Sequence, residues 1–230
     1  MAGELRVPRQ RNEKQRDAIV KTAQKMFLKS GYDKVKIKDI AAACGISSSL
    51  LQYYFPKRAD IAVACFYDFI MRCNSFVASQ VRELPGYPFE DSDLVCLDAF
   101  YHLFYQILHA DNDKALRLYT VVLYDTELLK NGLDRFWSHP DDFVLPSRTF
   151  KSRVGTYALN GMLSQFVALY LADPLNNNLD SFVSLALSMY YQLLDVKDKR
   201  LEQIKSASKK ILENPRTQEY AENESLDIEG

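Results

Sequence analysis

Glycine and proline are scarce in this sequence, with eight of each among 230 residues. This scarcity argues against a disordered chain and against a turn-rich β-protein, because both depend on these residues. The N-terminus lacks a basic segment followed by an apolar one, so we do not expect a secreted protein. The longest apolar stretch, residues 154–172, contains Asn160, Ser164 and Gln165, which favours a buried helix over a membrane span.

The sequence also lacks the patterns that carry catalysis or metal binding. Cys44, Cys65, Cys73 and Cys96 lie in apolar or helical contexts without a metal-ligand spacing, which is typical of reduced thiols, with redox sensing as the alternative. A glycine-rich phosphate loop, a nucleophile elbow and a distinct pair of carboxylates are missing. We therefore expect no enzymatic activity, no metal, no cofactor and a cytoplasmic location.

A net charge of −1 hides a strong division of charge along the chain. Residues 1–58 contain 13 Lys or Arg and 5 Asp or Glu, a net charge of +8. The remaining residues, 59–230, contain 16 and 25, a net charge of −9. The alternative is that these charged residues only form a solvated surface, but such a surface does not require positive and negative charge to lie in different parts of the chain. A basic head on an acidic body indicates that the head alone binds a polyanion.

Apolar residues recur at helical spacing along most of the chain, and no strand-like alternation of useful length is present. Residues 1–11 are rich in arginine and lack an apolar period, which predicts a flexible basic arm. Asn12 and Gln15 then form a capping-box pattern ahead of a helix that ends at Gly31.

Two short helices follow and complete a three-helix head over residues 12–58. The first covers residues 37–44 and stops at Gly45. The second begins at Ser47, whose hydroxyl can cap free amides, and ends at Pro56, which has no amide hydrogen. These helices predict an all-α protein that begins with a helix-turn-helix.

The remaining chain continues the helical pattern as a large domain over residues 59–213. Two segments, residues 154–172 and 182–194, are apolar on nearly every side and need more cover than one small domain offers. We expect them to form a dimer seam, with a monomer core as the alternative. Residues 214–230 are acidic and poor in apolar residues, which predicts a disordered tail.

The helix-turn-helix pattern suggests that its second helix enters the major groove of DNA. Short hydroxyl side chains allow a close approach, and glutamine can pair with an adenine edge. Tyrosine can bind phosphates or touch thymine methyl groups, and lysine or arginine can neutralise phosphates. The candidate contacts are Ser47, Ser48, Ser49, Gln52, Tyr53, Tyr54, Lys57 and Arg58. As structural alternatives, Ser47 caps the helix, Tyr53 packs against the first helix and Lys57 begins a solvated turn.

The stretch GYDKVKIKDIAAACGISSSLLQYYFPKRADI, residues 31–61, resembles the N-terminal DNA-binding region of the tetracycline-repressor (TetR-like) transcriptional regulators. The matching features are Gly31-Tyr32, Asp39-Ile40-Ala41, Gly45-Ile46-Ser47, and Tyr53-Tyr54-Phe55 followed by Lys57. The resemblance covers about the first sixty residues. The remaining chain resembles the family only in its length and helical pattern.

This resemblance implies a bacterial, nucleoid-associated homodimer whose heads bind the half-sites of a near-palindromic operator. It implies a helical-bundle C-terminal domain for dimerisation and for binding a small effector. The implied DNA contacts are Ser48, Ser49, Gln52, Tyr53 and Tyr54 in the recognition helix, with Lys57 and Lys38 on phosphates. The family usually has Thr at the position of Lys36, where lysine keeps the phosphate contact but cannot cap the helix.

Aromatic residues are dense in the predicted body and can line an apolar effector pocket, with core packing as the alternative for each. The pocket candidates are Phe66, Phe69, Tyr101, Phe104, Tyr105, Tyr119, Trp137 and Tyr157. His102 and His109 lie seven residues apart and share a helix face, as ligand contacts or as surface groups. The sequence favours a repressor that a small apolar or aromatic effector releases from DNA. The alternative is a TetR-like protein without small-molecule control, in an architectural or division-linked role.

Overall fold

The computed structural model describes residues 12–110, 113–125 and 150–229, which form an all-helical structure and confirm the predicted fold class. A short 3₁₀ turn, Tyr32–Lys34, separates the first two α-helices. The described α-helices are α1 (Glu13–Ser30), α2 (Ile37–Ala43), α3 (Ser48–Tyr54), α4 (Arg58–Arg82), α5 (Ser92–His109), α6 (Lys114–Leu123), α7 (Phe150–Ala172), α8 (Leu179–Leu193), α9 (Asp198–Leu212) and α10 (Pro215–Glu229).

The first three helices form the head around a small apolar core. Ile19, Ala23 and Phe27 of α1 meet Ile40 of α2 and Leu51 of α3, and each of these side chains is buried. Their positions follow the apolar spacing of the sequence, so that each short helix has one inner face. Neither α2 nor α3 is long enough to be stable alone, and the shared core therefore holds them in place.

Local hydrogen bonds fix the ends of the head helices where the sequence predicts them. Asn12 Oδ1 accepts from the Gln15 amide at 3.3 Å at the start of α1. Ser47 Oγ accepts from the Leu50 amide at 3.1 Å at the start of α3. Gly31 ends α1 with φ +86°, a left-handed conformation that glycine adopts without strain.

Helix α4 continues from the head into the body, and its apolar side chains are buried along most of its length. Among the described helices, only α4 is long and apolar enough to span a membrane by length and composition. Of the most apolar 18-residue segment of α4, 61% is buried inside the protein, which is typical of a core helix. Helix α4 is therefore the structural link between the two parts of the chain.

Helix α5 lies at the centre of the body, with α4, α8 and α9 packed against it. Tyr191 of α8 donates a hydrogen bond from its hydroxyl to Asp98 Oδ1 of α5 at 2.8 Å, and both side chains are buried. Burial and the neighbouring Asp98 raise the pKa of Tyr191 well above its ordinary value. The tyrosine hydroxyl thus stays protonated and satisfies a buried carboxylate.

Helices α7 and α8 pack closely against each other within one subunit. A Cβ atom at Gly155 would lie 2.8 Å from the Tyr190 ring, so glycine permits this approach. Leu187, at the middle of the predicted dimer seam, is only 1% exposed and belongs to the core of the subunit. Some apolar residues of these two helices therefore pack in the core of the subunit, whereas others lie on its surface.

The structure corrects the prediction of a disordered tail at residues 214–230, because Pro215–Glu229 forms α10. The low apolar content of this segment suggested disorder. However, the few residues that can pack against the body recur at helical spacing and lie on one face of the helix. This face consists of Thr217, Tyr220, Ala221 and Glu224, none of which is fully exposed.

Helix α10 is held against the body by specific side-chain contacts. The Tyr220 ring stacks on Phe76 of α4 with centroids 4.0 Å apart and an interplanar angle of 5°. Glu224 Oε2 accepts from Arg72 Nη2 of α4 at 3.0 Å. Thr217 is completely buried. These contacts offset the conformational entropy that an acidic, weakly apolar segment loses on folding.

We predict that Tyr220→Ala lowers the free energy of unfolding by about 2–3 kcal/mol, because it removes a packed ring and its stacking on Phe76. Urea denaturation followed by circular dichroism measures this change. Glu219→Ala is the matched control, because Glu219 is exposed on the same helix. An unchanged unfolding midpoint for Tyr220→Ala would show that α10 does not dock on the body.

We also predict that Ser47→Ala lowers the free energy of unfolding by about 1 kcal/mol, because the Leu50 amide loses its capping acceptor. Ser48→Ala is the control, since Ser48 is exposed and is not the capping residue. Thermal unfolding of the two variants in parallel compares them directly. Equal losses of stability in both variants would contradict the capping role.

Candidate nucleic-acid interface and ligand cavities

The turn between α2 and α3 fixes the relative orientation of the two helices. Gly45 has φ +65°, in the left-handed region, and its amide donates to the Ala42 carbonyl at 3.0 Å. The Ile46 amide donates to the Ala41 carbonyl, also at 3.0 Å. Because Leu51 of α3 is locked in the core of the head, the helix cannot turn about its own axis. Its outward face is therefore defined.

The outward face of α3 is polar and aromatic. Ser48, Ser49 and Gln52 are exposed, and Tyr53 is 45% exposed. Tyr54 is half-buried, and its ring meets the Tyr53 ring edge to face with centroids 5.5 Å apart. The structure thus brings the five predicted recognition residues together on one short helix.

The structural alternatives for Ser47 and Tyr53 have different outcomes. Ser47 does cap α3, since its Oγ accepts from the Leu50 amide. This contact leaves the hydroxyl hydrogen of the exposed Ser47 available as a donor to a phosphate. Tyr53 retains nearly half of its surface in solvent, so part of its ring is accessible to DNA.

Two aspartates cap the helices on either side of the recognition helix. The Lys36 amide donates to Asp39 Oδ2 at 3.0 Å, and the Lys57 amide donates to Asp60 Oδ2 at 2.8 Å. The carboxylates act as caps, so neither lysine side chain is needed for this purpose. These two capping roles were not predicted from the sequence. The available signal was an acidic residue three positions after each N-cap residue, Lys36 and Lys57.

The lysines around the recognition helix keep their charged groups in solvent. Lys36, Lys38 and Lys57 are exposed, and none of them forms an ion pair with the described residues. The described part of the head, residues 12–58, contains ten Lys or Arg and four Asp or Glu, a net charge of +6. An unneutralised cationic surface of this kind attracts a polyanion.

Arg58 forms contacts within the head, and its predicted phosphate contact stays a prediction. Its Nη1 donates to the Val35 carbonyl at 3.1 Å, and its guanidinium lies 4.0 Å from the centre of the Tyr32 ring. A salt bridge of 3.9 Å joins it to Asp33. Arg58 therefore holds the start of α4 against the loop after α1.

The aromatic residues predicted as a ligand pocket form much of the core of the body. Phe66 and Phe69 of α4, Phe104 of α5 and Tyr119 of α6 contact one another with centroids 5.2–5.9 Å apart. All four are at most 5% exposed. Rings packed in this way leave no room for a ligand between them, so core packing explains most of their contacts.

The other pocket candidates lie in different surroundings. Tyr101 is buried and accepts a hydrogen bond from Asn160 Nδ2 at 2.8 Å, and burial raises its pKa. Tyr105 is also buried, and Tyr157 of α7 is half-buried. Trp137 lies outside the described residues. Among the described residues, these candidates therefore belong to the packed core rather than to one common pocket.

One cavity of about 300 Å³ lies beside Tyr105, between α5, α8 and the end of α9. His102 and His109 both line it, as their shared face predicts. His102 Nδ1 lies 2.9 Å from Asp180 Oδ1, and His109 Nδ1 lies 2.7 Å from Asp113 Oδ1. No cluster of potential metal ligands is present in the described part of the chain.

A second cavity, of about 370 Å³, lies where the head meets the body. Residues of α1, α4, α6 and α10 line it, and it is partly open to solvent. Phe69 and Tyr119 form part of its wall, so two of the predicted pocket residues do face open space. A third depression, of about 450 Å³, lies between the start of α5 and the outer side of α9.

Residues 19–65 match the family model described as bacterial regulatory proteins, tetR family. The match runs from the middle of α1 into α4 and includes the entire helix-turn-helix. A comparison of the sequence with curated proteins finds no match.

Several solved structures are similar to this chain. RolR in complex with resorcinol has 16% identity and a TM-score of 0.51, with 88% of this chain and 95% of that chain covered. A tetR-family regulator from Streptomyces coelicolor has 16% identity, a TM-score of 0.45 and coverages of 94% and 98%. SmeT, the repressor of the Stenotrophomonas maltophilia multidrug efflux pump SmeDEF, has 16% identity, a TM-score of 0.47 and coverages of 80% and 90%.

At such identities the structural likeness shows the fold alone, and the family match covers the N-terminal domain. The fixed outward face of α3 and the cations around it agree with that match. The N-terminal part of this chain is therefore a helix-turn-helix domain of the tetR-family type, and the described fold as a whole is TetR-like.

Proposed function

We propose that this protein is a repressor that binds a near-palindromic operator as a homodimer and dissociates when a small effector binds. The observation that carries the proposal is the outward face of α3, with exposed hydroxyl, amide and phenol groups flanked by exposed lysines. These groups suit the donors, acceptors and phosphates of a DNA duplex. The proposal places the protein in the bacterial cytoplasm, associated with the nucleoid.

The proposed recognition contacts come from the first two turns of α3, which enter the major groove. Ser48 and Ser49 are short enough for the helix backbone to approach the base edges. Gln52 lies one turn further along and forms paired hydrogen bonds with an adenine. The exposed Tyr53 contacts a thymine methyl group with its ring or a phosphate with its hydroxyl.

The proposed phosphate contacts surround this helix and position it without reading sequence. Lys36 and Lys38 approach the backbone from the start of α2, and Lys57 approaches it from the start of α4. The Ser47 hydroxyl and the Tyr54 phenol complete this set. Each neutralised phosphate releases counterions, so the affinity of the complex should fall as the salt concentration rises.

The proposed dimer forms through the outer faces of α7 and α8. The supporting observation is a set of large apolar side chains that remain 43–54% exposed on these two helices. The set consists of Val154, Leu169, Leu185, Met189 and Leu193. Packing against a second copy removes this surface from water through a twofold, self-complementary contact. Such a dimer can hold two α3 helices about 34–36 Å apart, one helical turn of DNA.

The proposed effector acts through a change in the relative position of head and body. A small apolar or aromatic molecule that binds more tightly to one position shifts the population away from the DNA-binding state. A coupling free energy of about 1–3 kcal/mol is sufficient for such a response. A TetR-like protein without small-molecule control would instead keep the same operator affinity with every effector.

We predict that Gln52 and Lys57 affect DNA binding differently. Gln52→Ala should reduce discrimination at one base pair of each half-site by about 1–3 kcal/mol. Lys57→Ala should weaken binding to all duplexes alike and lower the slope of log affinity against log salt by about 1 for each lost contact. Selection of random duplex DNA on the purified protein gives the operator, and fluorescence anisotropy measures the affinities.

Lys29→Ala is the charge-matched control for Lys57→Ala, because Lys29 is exposed at the end of α1, outside the proposed interface. It should retain the affinity and the salt slope of the unsubstituted protein. Equal loss of sequence preference in both test variants, or affinity that does not depend on salt, would contradict the assigned contacts.

We predict that Met189→Glu converts the dimer to a folded monomer, because two copies of the new charge would face each other across the twofold axis. Sedimentation equilibrium measures the mass, and circular dichroism confirms the fold. Ser206→Glu on the exposed side of α9 is the control and should remain dimeric. Leu187→Glu should unfold the subunit instead, since Leu187 is buried. A dimer that survives Met189→Glu would exclude this seam.

A further inference from the structure

The cavity between head and body has an apolar, uncharged floor. Phe69 of α4 and Tyr119 of α6 stack there with centroids 5.9 Å apart and nearly parallel rings. Gln24 Nε2 of α1 donates to the Tyr119 hydroxyl at 3.1 Å. Burial raises the pKa of Tyr119 well above its ordinary value, so the floor carries no charge. The volume of about 370 Å³ lies within the range of ~300–1,000 Å³ that small-molecule sites occupy.

The walls of this cavity are predominantly cationic. Lys21 and Lys25 lie one helical turn apart on α1, are exposed, and form no ion pair with the described residues. Arg72 of α4 provides a third cation. Glu224 of α10 is the one carboxylate among the described residues of the lining. The cavity therefore has an excess of positive charge above an apolar floor.

Glu224, a residue of the protein itself, pairs with the cation Arg72 at one end of the cavity. Its Oε2 accepts from Arg72 Nη2 at 3.0 Å, while Asp68 Oδ2 accepts from Arg72 Nη1 at 2.8 Å. The Nε of Arg72 is buried and has no acceptor among the described residues. A buried donor without an acceptor is unfavourable, so Arg72 has capacity for a further anionic group.

We propose that this cavity is the effector site and that the effector is an organic carboxylic acid with an apolar body. Its carboxylate takes the place of Glu224 at Arg72, within reach of the two α1 lysines, while its apolar body fills the space above the two floor rings, which are almost completely buried by their other neighbours. A neutral molecule of the same shape would leave the two α1 lysines without a partner in the cavity. The assignment of this cavity as the effector site rests on the proposed function.

The position of the cavity gives this ligand a direct route to the head. Helix α10 contacts α1 of the head and α5 of the body, and Glu224 joins α10 to α4. An acid that replaces Glu224 releases the end of α10 from α4 and draws the lysines of α1 towards the body. The ligand therefore binds better to one head position than to another, as a population shift requires.

Isothermal titration calorimetry on the full-length protein without DNA tests the ligand class. The probes are benzoate and octanoate, their neutral counterparts benzyl alcohol and 1-octanol, and inorganic phosphate. Each acid is expected to bind at least about tenfold more tightly than its alcohol, because only the acid forms charge-assisted hydrogen bonds. Phosphate, which has no apolar body, is expected to bind more weakly than either acid. Equal affinities for acids and alcohols would overturn the proposal, and so would phosphate binding as tight as that of the acids.

Variants of α1 locate the binding site. The double substitution Lys21→Gln, Lys25→Gln is expected to weaken acid binding by about tenfold and to leave alcohol binding unchanged. Both lysines are exposed and form no ion pair with any residue that the structure describes, so the variant should fold normally. Lys29→Gln on the same helix is the matched control and should bind the acids like the unsubstituted protein. Undiminished acid binding by the double variant would exclude this cavity.

Glu224→Gln tests the proposed competition. Loss of the internal carboxylate is expected to strengthen acid binding by about threefold or more, because the ligand no longer displaces a charged partner of Arg72. A purely structural Glu224 would lower the melting temperature without changing acid affinity, and that result would overturn the displacement step.

Operator binding, measured separately, distinguishes failure of the inference from failure of the proposed function. If the operator binds but the acids do not, the inference fails and the regulator remains. If the acids bind through the α1 lysines and no duplex binds, the proposed function fails. Acids that bind in the cavity and lower operator affinity would support both.

Discussion

Helix α4 packs in both the head and the body, whose buried apolar residues form one continuous cluster. Its first turns place Ile61 and Cys65 against α1 of the head, where Cys65 Sγ lies 3.5 Å from the Val20 carbonyl. Its later turns carry Phe66 and Phe69 into the aromatic cluster of the body. Because the head and the body share this one helix, the head cannot move relative to the body unless the packing around α4 also changes. The proposed coupling between effector and DNA depends on that shared packing.

The body restricts where a ligand can act. Its centre is filled by tightly packed rings and by buried polar pairs such as Tyr191 with Asp98, which leave little adjustable space. Open volume lies instead at helix junctions, where charged and polar side chains border the apolar core. Of these junctions, only the one at α1 also borders the head, and its cations therefore have a structural connection to the DNA-binding surface.

Much of the head could be predicted from the sequence because local chemistry determines its helix ends. Gly31 and Gly45 adopt left-handed conformations, and Ser47 caps a free amide through its own side chain. Such effects act within a few residues and do not need the rest of the protein. The predicted helix-turn-helix and the predicted all-helical body are both confirmed. The role of Arg58 was not predictable in this way, because its partners Val35 and Tyr32 come from the preceding loop.

The composition and periodicity of the sequence by themselves determined the helical class, the cationic head and the polar face of α3. Only the tertiary structure decided which apolar residues lie inside the subunit. Leu187 is buried and Met189 is exposed, although they are two residues apart on one apolar helix. It also decided that the acidic C-terminal segment folds, through contacts of Tyr220 and Glu224 with α4. The physical reason is that spacing along a chain defines the faces of a helix, whereas only the packed neighbours determine which faces lose contact with water.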